Sequence, residues 1–392
     1  MAATLYDNAT YLFPDSGDSA RLTLFRVFQT FQVIAHGSVQ IEFYIAMFGV
    51  LLTSFHILIL SRKAMMTSSV ITIMTVVAVF DIVSMLITIK SKSMMYGTEG
   101  SECTPPATSF AFRFFWLTIA IRDMVRRSST WLGVLMALIR YSGLRFAMNE
   151  LFRRASKPIF GVYAMTASLI PSLILSVFYW LRFEFVETGK WSPSTKCTDY
   201  SPSVIEPIFE QKPSNLFTVH DGLIGKSFML INGLASKVKE KTPKTERALS
   251  LFQIIPCFLL PLLTALLIFE LQKAKKARLE LNSQDKDKTY RIAKEQFSSS
   301  RSFRTDRTTA LVIFMAISFF LAEVPIGTAL ALQVAYTDIG FLFLATYVAH
   351  FCNLLFTLNS ITHCLVFFAM SSQYRLTIER ILRIVTKSEA VP

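Results

Sequence analysis

Seven apolar stretches, each long enough to cross a bilayer, dominate this chain and narrow what it can fold into. They cover residues 39–60, 70–89, 107–139, 158–181, 248–271, 308–334 and 340–370, against about 20 apolar residues for one helical crossing. In hydrocarbon an unpaired backbone N–H or C=O finds no water, so each stretch has to be a helix. With 52% hydrophobic residues and a mean hydropathy of +0.45 over 392 residues, a soluble multidomain protein is excluded. The prediction is an all-α membrane protein, a seven-transmembrane helix bundle over 39–370.

Basic residues are retained on the cytoplasmic side, so loop charge sets the orientation. The first loop carries Arg62 and Lys63, the third Arg145, Arg153, Arg154 and Lys157, and the fifth eleven Lys/Arg between Lys273 and Arg307. The loop 182–247 is nearly balanced, with ten Lys/Arg against eight Asp/Glu. This predicts an N-terminus outside (1–38, an extracellular tail) and a C-terminus inside (371–392, a short amphipathic helix). The net charge of +13 is a topology signal and implies no nucleic-acid partner. The "NAT" at Asn8 is a glycosylation sequon on the expected outer face. The first twenty residues show no cleavable signal pattern, so the first span is expected to direct its own insertion.

Of five cysteines, Cys103 and Cys197 fall in expected outer loops, where two thiols invite a disulfide; two unpaired loop thiols are the alternative. Cys257, Cys352 and Cys364 lie within spans and read as packing residues. The loop 182–247 is long enough to be a lid or binding surface. The basic loop 273–307 ends in Ser298, Ser299, Ser300 and Ser302 beside arginines, which suits either phosphorylation or a plain solvated loop. No phosphate-binding glycine loop, metal spacing, catalytic triad or internal repeat appears, so an enzyme is not expected and no metal site is predicted.

The third stretch is the odd one. Its "IRDMVRRSST" places Arg122, Asp123, Arg126 and Arg127 within six residues of a span. Such charges are expensive in lipid and mark function by default. Arg122, Arg126, Ser129 and Arg140 share a helix face, since 18 residues make about five turns. Asp123 stands at ion-pair spacing from Arg127, but three arginines against one aspartate leave positive charge in search of a partner. Glu323 in the sixth span and an anionic or carbonyl-rich ligand group are the candidates. Asp81 is a lone carboxylate in the second span, with Ser129 and Asn359 as a polar shell. Pro325 follows Glu323 by two residues and kinks the sixth span, a natural pivot.

The stretches "RRSSTWLGVLMALIRY", "LLPLLTALLIFELQKAKKAR", "AEVPIG" and "LNSITHCLVFFAMSSQYR", set in this seven-span pattern, resemble rhodopsin-like G-protein-coupled receptors. The nearest likeness is to the nematode serpentine receptors of class w, related to FMRFamide-type and myosuppressin-type peptide receptors. The resemblance runs from Glu42 to Leu382. It implies that Arg140 and Tyr141 stand for the Asp-Arg-Tyr motif that engages the G protein. Asp81, Ser129 and Asn359 match a pocket that holds a sodium ion in many members, with no other cofactor implied. Pro261, Pro325 and Phe319 match the prolines and activation-core aromatic of the fifth and sixth helices, and Cys103 and Cys197 the outer disulfide.

Several positions depart from the pattern. Ile139 replaces the acidic residue before Arg140, Thr53 an asparagine, Glu323 a tryptophan, and Asn359-Ser360 with His363 the Asn-Pro-x-x-Tyr motif. The fourth helix has no marker tryptophan, and Cys103 lies farther before Arg140 than usual.

Carried through, the resemblance implies a multi-pass plasma-membrane receptor for an extracellular neuropeptide that signals to a heterotrimeric G protein. Kinases and arrestin would act at the third inner loop. Arg122, Asp123, Arg126 and Arg127 become ligand-pocket residues with Glu323 at the floor, where an amidated arginine would meet Asp123 or Glu323. The competing readings are a chemosensory receptor for a small molecule and a transporter, which would show repeats and broken helices.

Overall fold

The structure is a computed structural model. It describes residues 9–98, 103–146, 154–193, 205–213, 255–273 and 339–389 apart from a few single positions, together with isolated positions from 276 to 328. The elements are α1 (Asp18–Leu60), α2 (Ser69–Thr98), α3 (Ser109–Arg145), α4 (Pro158–Leu181), a hairpin of β1 (Phe183–Trp191) and β2 (Glu206–Pro213), α5 (Ile339–Met370) and α6 (Ser372–Glu389). Residues 258–273 are also helical, overlapping the expected fifth span and running two residues past its end.

Among the described residues, α1, α2, α4 and α5 each contain a window long and apolar enough to cross a membrane. The remaining long helix, α3, has 37 residues but carries the charge cluster at its middle. The helices form one bundle in which α1 packs on α2 and α5, and α2 packs on α3 and α4.

The first helix overruns its expected span. It begins at Asp18 rather than residue 39 and runs for 43 residues, about 65 Å at 1.5 Å per residue against about 30 Å of hydrocarbon. Sequence hydropathy marks where a helix meets lipid and not where it stops, which is why residues 18–38 read as a tail. That extension has its own core. Phe25 and Phe28 of α1 pack with Phe341 and Leu344 of α5 and with Phe13 of the preceding turn. Arg21 fastens that turn, donating from Nε to the Phe13 carbonyl (3.1 Å) and from Nη2 to the Ser16 carbonyl (2.8 Å).

Buried positions on α1 recur every three or four residues: Ala35, Ser38, Glu42, Ala46, Gly49, Thr53, His56 and Leu60. Such a stripe is a helix–helix seam, and small residues on it let backbones close up. A Cβ on Gly49 would stand 2.5 Å from Met85 Sδ of α2, and one on Gly161 of α4 would stand 2.7 Å from Thr72 Cβ.

The loop 182–247 opens with structure rather than coil. β1 and β2 pair antiparallel, Phe183 opposite Pro213 and Trp191 opposite Glu206, with a bulge between Glu187 and Gly189. Phe112 near the start of α3 meets Phe185 at 5.7 Å and Phe209 at 6.5 Å, so the hairpin lies over that end of the bundle. Cys103, just before α3, is disulfide-bonded. Cys197, the partner expected for it, lies outside the described residues, as does Asn8.

Candidate functional site

Several polar side chains of α3 find partners on the described helices around it. Arg126 reaches three of them: its Nε donates to Ser84 Oγ of α2 at 2.8 Å, its Nη1 to Asn353 Oδ1 of α5, and its Nη2 lies 3.6 Å from Glu42 Oε1 of α1. Its guanidinium also stands 5.5 Å from the Phe356 ring. Glu42 is wholly buried; its second oxygen is 3.7 Å from Lys92 Nζ, a lysine only 4% exposed, and Thr357 Oγ1 donates to Oε1 at 3.5 Å. His350 faces Lys92, Glu42 and Arg122 across the same layer. Removing two ions from water costs several kcal/mol each, so a wholly buried carboxylate is held only because cations close on it from α2 and α3.

This layer revises the expected pairing. The described partner of the excess arginine charge is Glu42 on the first helix, while Glu323 lies outside the described residues. Asp123 sits against Arg122, with Oδ1 3.5 Å from Nε, although sequence spacing pointed to Arg127. Arg127 is buried and donates to Ser176 Oγ of α4. Backbone spacing alone does not decide such pairs, because each rotamer follows the partner that a neighbouring helix presents. Glu42 and Lys92 were missed in sequence. The signal was there for Glu42, a carboxylate on the seam of the first span. Lys92 falls three positions past the expected end of the second.

One helical turn deeper, Asp81, Ser129 and Asn359 converge from α2, α3 and α5 on a cavity of about 20 Å³, also lined by Ser84, Arg126, Thr357 and Ser360. That volume admits one water-sized occupant and no peptide. His363 Nδ1 is 3.3 Å from Asp81 Oδ2, joining the histidine that departs from the Asn-Pro-x-x-Tyr motif to the pocket.

At the far end of α3, Arg140 and Tyr141 are half-buried, and Arg140 Nε has no hydrogen-bond partner among the described residues. With Ile139 in place of an acid, no carboxylate adjoins Arg140 on α3. An ion pair to a neighbouring helix comes a turn later, where Arg145 Nη1 meets Oε1 of Glu270 in the helical stretch 258–273 at 3.0 Å. Pro325 is helical and half-buried; Phe319 lies outside the described residues. At this end α6 docks through Tyr374, whose hydroxyl is 2.8 Å from His56 Nδ1 and 3.6 Å from Cys364 Sγ. Burial, with the Cys364 contact, pushes the Tyr374 hydroxyl well above its ordinary pKa, so it stays protonated.

The bundle and its charged layer fit the comparisons with known proteins. The family described as serpentine type 7TM GPCR chemoreceptor Srw matches residues 40–385. The chain is 22% identical over 370 residues to the G-protein coupled receptor dmsr-1 of Caenorhabditis elegans, an alignment covering 87% of this chain and 67% of that protein. A seam of spanning helices, a charged interior and a family match over most of the length lead to one identity. The chain belongs to the serpentine Srw family of seven-transmembrane G-protein-coupled receptors, multi-pass proteins of the plasma membrane.

Proposed function

We propose that this receptor is gated by an extracellular peptide and passes the signal to a heterotrimeric G protein. In this reading the hairpin end faces outside and the Arg140 end faces the cytoplasm, in keeping with the basic loops. The observation that carries it is the charged layer of Glu42, Lys92, Arg122 and Arg126 below the hairpin. A peptide offers the mixed charged and hydrogen-bonding groups that such a layer recognises. Arg122, Asp123, Arg126 and Arg127 contact ligand in this reading, with Glu323 completing the floor.

A ligand shifts an equilibrium only by binding one state better than the other. Arg126 is placed to sense it, since its three anchors lie on three helices. A peptide group competing for Glu42 or Asn353 would loosen the α1–α3–α5 tie, and the segments around Phe319 and Pro325 would respond at the Arg140 end. Asn359 and His363 lie between the two regions. Kinases and arrestin are proposed for the serine-rich third inner loop.

The test is second-messenger output in transfected cells challenged with an amidated-peptide library, with Arg140→Ala alongside. A response in the parent that disappears in Arg140→Ala at equal surface expression is expected. Silence across the library, with surface expression verified and several G proteins co-expressed, would turn the assignment to a small molecule. One observation favours that second reading: the described cavity of about 20 Å³ is far below peptide size.

A further inference from the structure

The donor set around Asp81 suits a small hard cation in kind. Asp81 Oδ2, Ser129 Oγ and Asn359 Oδ1 are buried oxygens that take part in no hydrogen bond among the described residues, and oxygen donors are what such ions prefer. The charge does not suit one. Arg126 lines the same cavity as Asp81 and Asn359. A guanidinium does not lose its proton in a protein, and this one has nowhere to swing. Nε is held by Ser84 at 2.8 Å, Nη1 by Asn353, and Nη2 faces Glu42 at 3.6 Å. Ser84 Oγ, an oxygen that would otherwise face a bound ion, is already engaged by that Nε. On its other side Asp81 faces His363 Nδ1 at 3.3 Å.

We infer that Arg126 is the resident cation of this pocket, a covalently tethered charge standing where related receptors take sodium, so that this receptor binds no sodium there. A free cation in a cavity of about 20 Å³ would share that space with a fixed guanidinium at low dielectric, where like charges repel strongly. The occupant that fits is a neutral water, donating to Asp81 and Asn359. The assignment holds whether the agonist is a peptide or a small molecule, because it uses only the pocket's own residues. It also gives the pocket a mechanical consequence. The positive charge that shares the cavity with Asp81 is carried on the helix that lines the ligand region, so it cannot leave when that helix moves.

The experiment is thermal unfolding of the purified full-length receptor, with sodium exchanged against N-methyl-D-glucamine at constant chloride up to about 150 mM, the physiological ionic strength. A ligand that binds only the folded state raises the midpoint with its concentration. The expected result is no sodium-specific shift for the parent or for Arg126→Lys. Arg126→Gln keeps hydrogen-bonding groups but loses the charge, and is expected to gain a saturable sodium-dependent rise that Asp81→Asn removes. A saturable sodium-specific rise in the parent, lost in Asp81→Asn, overturns the inference. A folded Arg126→Gln that stays indifferent to sodium overturns the assignment to Arg126. If that variant does not fold, the parent and Asp81→Asn titrations decide between the two.

Discussion

Glu42 shows how much one side chain commits. It is wholly buried with Lys92 and Arg126 against it, so replacing it by alanine strands two buried cations. Breaking a buried ion pair costs about 3–5 kcal/mol. Glu42→Ala is therefore expected to lower the unfolding midpoint and surface expression sharply, read by thermal unfolding in detergent and by surface labelling. Removing a cation along with it, in Glu42→Ala with Lys92→Met, is expected to recover part of the loss. Tyr374→Phe is a milder case. It removes one hydrogen bond to buried His56, a loss of about 1–3 kcal/mol when a buried partner is left unsatisfied, and should appear as weaker docking of α6 in hydrogen exchange. At this scale the sequence was informative about which residues are unusual and silent about their partners. Arg126, Asp81 and Asn359 stood out as polar groups in apolar spans. That Arg126 meets Glu42 depends on two helices more than 80 positions apart in the chain.

At the scale of elements, the apolar runs located the helices well and their ends poorly. The first helix starts at Asp18 because an aromatic cluster with α5 and the Phe13 turn extends it beyond the bilayer, a contact that hydropathy cannot register. In sequence the hairpin looks like loop, since its strands carry charges at Glu184, Glu187, Lys190, Glu206, Glu210 and Lys212 and are organised by aromatic contacts with α3. Helix seams make a sharper prediction. At Gly161 an added Cβ meets the β-branched Thr72 and the Ser69 carbonyl oxygen at 3.0 Å, neither of which can step aside. At Gly49 the closest contact is the thioether of Met85, a flexible side chain, with the Ile361 side chain at 3.2 Å and no backbone atom among the nearest neighbours. Gly161→Ala should therefore cost about 1–3 kcal/mol, and Gly49→Ala clearly less, with the order read from paired unfolding midpoints.

At the scale of the molecule, α3 ties the regions together, running from the hairpin past the charged layer and the Asp81 cavity to Arg140 and the Arg145–Glu270 pair. Arg140→Ala is expected to abolish G-protein output while leaving surface expression within about twofold, because Arg140 Nε has no hydrogen-bond partner and Arg140 no ion pair among the described residues, so its removal strands no described partner. A fall in expression that matches the fall in output would mark Arg140 as a structural residue instead. The sequence by itself determined the class of this protein. Runs of some twenty apolar residues must be helices in lipid, loop charge biases their direction, and the motif pattern places the chain among serpentine receptors. Only the tertiary structure decided which buried charge answers which, because ion pairing inside a bundle is a property of packed neighbours and of depth. Among the described residues Glu42 answers the charge of Arg126, whose guanidinium stands at the centre of a four-helix polar knot, since a guanidinium in a dry interior goes wherever oxygens from several helices meet.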